Sequence, residues 1–288
     1  MSIKVKFSCF WQDHLAAYHH MQQYAFGSPV WKDMELVADE SYDVLAILTR
    51  PHHSLRQYDR SKAVTFLTEP PESKNVIPHE TSSIVPMYLP LPFWQNFSAG
   101  ERQHVQTVNL PKTELLSSVT SDLTFLEGHV ARLQLIRLLD QRIEDGFDLW
   151  GKAYTDTFFD KITAYKGEIT QKYDALWPYQ YHLACENSFV DNYFTEKIAD
   201  PILAECLCFY DGCLNIAQFI DDRAFIKIDV FDPFNAIDTI IRSIEDDEWS
   251  KRITYIAAQK KRLLSDLNPL NIVWLALKGK DVIKECSL

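Results

Sequence analysis

Two carboxylates and a lysine stand where acid–base or anion-binding chemistry would be built. Tyr181 to Cys185 is a short apolar run fit for a buried strand, and Glu186-Asn187-Ser188 breaks it with side chains that bond locally to backbone. Asp191 and Asn192 are N-cap candidates for a helix beyond. On that helix Tyr193, Glu196, Lys197 and Asp200 fall at i, i+3, i+4 and i+7 and share a face, while Phe194, Ile198, Ile202 and Leu203 form the buried one. A helix N-terminus carries unpaired N–H groups and partial positive charge, so with Lys197 in the first turn it suits an anion such as a diphosphate. On an arbitrary helix, a Glu196–Lys197 neighbourhood is more often a solvated surface pair. Glu69 ends a second apolar run, Ala63 to Leu67, in a loop stiffened by Pro70-Pro71. A carboxylate there serves as general base when an acceptor hydroxyl is within hydrogen-bond reach. Glu72 is a rival nearby, and a solvated loop acid is the plainer reading of Glu72.

Such side chains need strands to hold them. Ile3 to Phe10, Tyr42 to Thr49, Ala63 to Leu67 and Cys206 to Tyr210 read as strands. Between them lie helical stretches: His14 to Tyr24, one with Val130, Leu133, Ile136, Leu138 and Leu139 at helical spacing, and 235–245 and 248–264. Strands alternating with helices predict parallel α/β sheets, in which ligands bind beyond the carboxyl ends of strands. The segment 83–93 is proline-rich and irregular, and the polar stretch 106–111 marks a domain crossing. This predicts a first domain over 1–110, a second over 111–270, and a segment 271–288 whose apolar run Ile272 to Leu277 returns to the first.

The chain has 288 residues, 47% hydrophobic and 24% charged, as in soluble globular proteins of two domains. Its net charge of −11 argues against a nucleic-acid partner. Only 8 glycines occur and no Gly-x-Gly-x-x-Gly or Walker loop, so a nucleotide would rest on side chains and helix ends. No signal peptide or membrane-spanning run is visible, and the six cysteines lie mostly in apolar strands, as small buried hydrophobes of a reducing cytoplasm. Cys206, Cys208 and Cys213 lack the second pair that a zinc site needs. The His19-His20 pair reads as surface. The Lys- and Arg-rich helix 248–264 reads as a solvated face first and a weak peripheral contact with anionic lipid second.

Glu186-Asn187-Ser188, Tyr193 and Thr195-Glu196-Lys197-Ile198 together resemble the donor-sugar signature of the alpha-1,3-fucosyltransferases, glycosyltransferase family ten. That signature has an Asn-Ser pair, a Tyr six residues after the Asn, and Thr-Glu-Lys beyond. The 207–216 segment and Phe225 to Asp229 are similar to the family's following strands, and Glu69-Pro70-Pro71 to its Glu-Ser-Pro. The resemblance implies a GT-B fold, two Rossmann-like domains facing across a cleft, with GDP-fucose as donor, a glycan hydroxyl as acceptor, and no metal or other cofactor. It implies an inverting transfer with Glu69 as base. Arg132 and Lys197 would lie on the leaving diphosphate, Asn187, Tyr193 and Glu196 on the nucleotide or sugar hydroxyls. Arg137 is the alternative to Arg132. Pro201 inside the signature helix, Glu205, Cys208 and Leu214 depart from the family pattern. The rivals are a different GDP-linked deoxysugar, a non-catalytic binding protein, and a glycoside hydrolase with paired carboxylates.

Overall fold

Short apolar runs close into parallel sheets, and the intervening amphipathic stretches cover them. The structure, a computed structural model, describes residues 2–76, 83–94, 96–155 and 157–288. In chain order the elements are β1 (Ile3–Cys9), α1 (His14–Tyr24), β2 (Val30–Trp31), β3 (Met34–Val37), β4 (Val44–Leu48), β5 (Ala63–Phe66), β6 (Ile84–Val85) and α2 (Ala99–His104). Then come β7 (Glu114–Val119), α3 (Glu127–Arg142), β8 (Phe147–Trp150), β9 (Tyr165–Gly167), β10 (Tyr179–Cys185), α4 (Glu196–Leu203), β11 (Leu207–Asp211) and β12 (Phe225–Lys227). Four helices end the chain: α5 (Pro233–Glu245), α6 (Glu248–Leu264), α7 (Pro269–Leu277) and α8 (Val282–Cys286). They divide into two compact units, residues 1–106 with 262–287, and residues 107–261 with 288.

In the first unit the strands run β2-β3-β1-β4-β5-β6, parallel except for the β2–β3 pair. Residues 5–9 of β1 are all buried, as a central parallel strand covered on both faces requires. Asp13 caps α1 by accepting from the Ala16 N–H at 2.9 Å. His20 departs from the surface reading. It is 8% exposed, with Nδ1 3.1 Å from Gln12 Nε2 and Nε2 2.9 Å from the Tyr24 hydroxyl. α7 packs back into this unit: the Asn268 amide donates to Tyr24 O at 2.9 Å, Trp274 Nε1 donates to Asp33 at 2.6 Å, and Lys32 lies 3.8 Å over the Trp274 ring.

The second unit has the order β12-β11-β10-β7-β8-β9, all parallel. From its first strand, β7, the chain winds outward one way through β8 and β9, then returns to β10 on β7's other side. That reversal opens a crevice at the carboxyl ends of β7 and β10. α3 buries Leu133, Ile136 and Leu139 as expected, with Ala131, Arg132 and Leu135 beside them, whereas Val130 is 49% exposed. α4 starts later than Asp191 and Asn192 suggested: Thr195 is the cap, and Tyr193 lies outside the helix. Asp200 is not on a solvated face. It is fully buried, bonded to Lys172 at 2.7 Å and to the Tyr173 hydroxyl at 2.8 Å. Pro201 does sit inside α4, where it removes one backbone donor from a two-turn helix.

Lys260 likewise leaves the solvated face expected of α6. It is fully buried, 3.5 Å from the Glu205 carboxylate, and donates to Thr107 O. Glu205 also accepts from the backbone N–H of Asn109 at 3.2 Å and of Leu110 at 2.7 Å. This departure from the family pattern thus anchors both ends of the unit. Among the other basic groups of α6, Lys251 and Arg252 pair with Glu248 at 3.1 and 2.7 Å.

Candidate active site

The loop that leaves β10 is folded around one buried acid. Glu186 has no exposed surface; its Oε1 accepts from Thr195 N–H at 2.9 Å and from the Tyr210 hydroxyl at 3.3 Å. The Thr195 hydroxyl lies 2.9 Å from both carboxylate oxygens, and Lys197 Nζ is 3.3 Å from Oε2. These bonds bring the start of α4 back to the end of β10. Burial pushes the Glu186 carboxyl up, while Lys197 and the Thr195 donors pull it back. Gly212 makes room for it: a Cβ there would lie 2.3 Å from Glu186 Cγ, and its φ of +154° disfavours a side chain. Glu186 was part of the sequence motif but not among the candidate site residues. An acid directly after an apolar strand was the signal available.

Around this acid four of the expected residues meet. Arg132, 6% exposed, reaches back along α3 and donates through Nη1 to Cys185 O at 3.2 Å and to Asn187 Oδ1 at 2.9 Å. Burial lowers its pKa from the ordinary value, against the pull of Glu186 and Glu196, and the fork stays charged. Lys197 Nζ lies between Glu186 and Glu196, 3.4 Å from the latter, with 21% of its side chain exposed. Burial disfavours its charge, but the two carboxylates outweigh it and raise the pKa. Glu196, 30% exposed, is subject to the same desolvation, yet Lys197 and Lys172 hold its carboxyl at about 2. Tyr193 is buried, 3% exposed, in the loop before α4, and its N–H donates to Val190 O at 3.3 Å. The approach of α3 is close: a Cβ on Gly128 would meet Asn187 O at 2.7 Å. Arg137 is on the far side of α3, exposed and 5.5 Å over the Phe158 ring, in a pocket of about 600 Å³ with Asp122 and Lys161. It does not share Arg132's surroundings.

Glu69 belongs to the first unit, three residues beyond the carboxyl end of β5. It is half-buried, and its Oε2 accepts from Ser73 Oγ at 3.1 Å. Ser73 Oγ in turn accepts from Asn75 N–H at 3.3 Å, and Asn75 Oδ1 takes a bond from Arg50 Nη2 at 3.1 Å. The preceding Thr49 is held at φ +62°, a strained conformation for a β-branched residue, and its hydroxyl accepts from Thr68 N–H at 2.9 Å. Strain and bonding both fix the turn that presents Glu69. Glu72, its rival, is exposed.

A family model described as Glycosyltransferase family 10 (fucosyltransferase) C-term matches residues 110–258, half of the chain and nearly all of the second unit. The chain belongs to glycosyltransferase family 10. The curated GDP-fucose protein O-fucosyltransferase 3 of Danio rerio is 26% identical to this family 10 enzyme over 99 residues, 34% of this chain; the match spans only 21% of that protein's length. A solved alpha1,3-fucosyltransferase with GDP superposes with a TM-score of 0.55 at 15% identity, covering 91% of this chain and 90% of that one. T4 phage BGT in complex with UDP and Mn2+ gives 0.51 at 9%, covering 98% and 99%. A glycosyltransferase of Rickettsia africae gives 0.53 at 9%, again covering 98% and 99%. At these identities the likeness is one of fold: two parallel-sheet α/β units, as in GT-B glycosyltransferases. Among the described residues, no helix is long and apolar enough to cross a membrane.

Proposed function

We propose that this enzyme transfers fucose from GDP-fucose to a glycan hydroxyl, in an alpha-1,3 linkage and with inversion, using Glu69 as general base. The observation that carries the reading is the gathering of Arg132, Asn187, Glu196 and Lys197 around buried Glu186 at the carboxyl ends of β7 and β10. Two cations and a helix start in one loop are the means by which a nucleotide diphosphate is held without a glycine-rich cradle. The solved fucosyltransferases that share the fold bind GDP or GDP-fucose, which supports the same donor here.

In this reaction the Glu69 carboxylate takes the proton of the acceptor hydroxyl, whose oxygen forms a bond to the anomeric carbon. The bond from that carbon to the diphosphate oxygen breaks on the opposite side, and its electron pair leaves with GDP. Arg132 and Lys197 stabilise the charge that grows there, the electrostatic contribution on which such transfers chiefly depend. Glu196 and Asn187 orient those cations and offer acceptors to sugar or ribose hydroxyls, and Tyr193 supports the loop. A metal is not needed where two cations already neutralise the diphosphate. The match to a protein O-fucosyltransferase favours a second reading of the acceptor alone, a hydroxyl on a protein. Buried, unpaired thiols at all six cysteines support a reducing, cytoplasmic compartment.

The test is transfer from a panel of GDP-sugars in buffer containing EDTA, with GDP affinity measured by calorimetry. GDP-fucose is expected to be the preferred donor, and Glu69→Gln to lose transfer by about 100-fold or more, as removal of a general base does, while GDP affinity is kept. Full turnover by Glu69→Gln removes that residue from the role. Activity abolished by EDTA overturns the metal-free mechanism.

A further inference from the structure

One polar group beside the cations has no part in the reading above. His129 lies in the first turn of α3, 6% exposed, and its Nδ1 accepts from the backbone N–H of Leu126 at 3.2 Å. An Nδ1 engaged as acceptor fixes the tautomer: the ring proton is on Nε2. No described residue accepts from that Nε2. Burial, with the positive charges of Arg132 and Lys197 nearby, pushes the imidazolium down to about 4, so the ring is neutral at physiological pH. The neighbouring donors are similarly uncommitted. Arg132 Nε is buried with no partner among the described residues, and its Nη2 has none there either. α3 begins at Leu126, whose side chain cannot cap it, so the N–H groups of Glu127 and Gly128 lack acceptors among the described residues.

A neutral ring with a fixed N–H, enclosed with two cations at a helix start, is a poor arrangement for the protein alone. The groups repel a proton, make no bond to one another, and leave the buried Arg132 Nε and the first N–H groups of the helix without acceptors among the described residues. An anion with several acceptor oxygens resolves all three. We propose that His129 is a donor-binding residue of this enzyme, giving its Nε2–H to an oxygen of the nucleotide diphosphate that Arg132 and Lys197 hold. This inference rests on the GDP-sugar reading of the site. Because the group donates without carrying charge, it adds a directed hydrogen bond without further repulsion between cations. Gly128 belongs to the same device: its missing Cβ lets the α3 start lie against the Glu186–Asn187 backbone.

The experiment compares His129→Met and His129→Gln with the unaltered protein, using calorimetry with GDP, guanosine and pyrophosphate. Both variants lose the Leu126 contact and match in length, but only glutamine restores an N–H at the distal end. The expected result is that His129→Met loses about 10–100-fold in affinity for GDP and pyrophosphate, the loss of one hydrogen bond to a charged partner. Guanosine affinity is expected to be unchanged, and His129→Gln to recover most of the loss. Equal GDP affinity in His129→Met and the unaltered protein overturns the proposal, as does an equal loss for guanosine, which would mark a purely structural role. Should neither variant fold, nitrogen-15 NMR of the unaltered protein decides. The Nε2 signal must be that of a protonated nitrogen and move with GDP but not with guanosine, and an unmoved signal overturns it. If the unaltered protein binds no GDP, the donor reading falls and this inference with it; GDP binding with an indifferent His129 removes the inference alone.

Discussion

At the scale of single residues, Lys197 has two tasks that a substitution would separate. It faces the site, and it is also the cation nearest a carboxylate that no water reaches. Removing it leaves Glu186 buried without its nearest counter-charge, held only by the Thr195 and Tyr210 donors, which costs about 1–3 kcal/mol. Lys197→Ala is therefore expected to lower the melting temperature as well as to weaken GDP binding by about 10–100-fold. Adding Glu186→Gln removes the stranded charge, so the double variant should regain stability without regaining GDP affinity. Thermal melts and calorimetry on the three proteins check this; GDP affinity restored along with stability would take Lys197 off the diphosphate. Arg132→Ala should weaken GDP as well, and by more than Lys197→Ala loses, because Asn187 and the Cys185 carbonyl lose their donor with it.

At the scale of elements, the site depends on how closely α3 approaches the loop after β10. With Gly128 Cβ space only 2.7 Å from Asn187 O, Gly128→Ala must push the helix start away. The substitution favours helix by up to about 1 kcal/mol on propensity alone, so a simple gain in stability is the opposing expectation. The steric effect should win: we expect GDP affinity to fall about tenfold and the melting temperature to drop, and an unaffected GDP affinity would show that the helix start has room to shift. Local patterns made many elements legible. α1 and α6 fall over the stretches read as helical, and β1 in a stretch that alternates before it runs apolar. The start of α4 was not legible, because Asp191 and Asn192 are good caps by type while the buried Glu186, nine residues before Thr195, selects Thr195 instead. The motif residues Arg132, Asn187, Glu196 and Lys197 could be named from resemblance, but their common partner could not. A carboxylate that organises a loop from inside is marked in the sequence only by its place, directly after an apolar strand.

At the scale of the whole molecule, burial lowers four histidines among the described residues: His20 and His129, each brought down to about 4, His182, well below its ordinary value, and His14 in the same direction. In the unfolded chain each would take a proton near pH 6.5. Between pH 6.5 and about 4 the unfolded state therefore binds more protons than the folded one, and stability must rise with pH. It is fully present above the unfolded value and is lost as the solution is acidified towards 4. Urea unfolding at pH 7, 6 and 5 should give a steady loss, with uptake of about 2–3 protons per molecule unfolded near pH 5. A flat profile across that range would mean that these rings are charged in the fold.

The buried Glu205–Lys260 pair carries a different consequence. Since Lys260 grips the carbonyl of Thr107 while Glu205 holds the next amides, the entrance and exit of the second unit are knotted to a single point. A protein engineer could join them with a short linker and open the chain at a surface loop elsewhere. The permuted domain would keep the crevice at the carboxyl ends of β7 and β10 whole, its former ends already side by side.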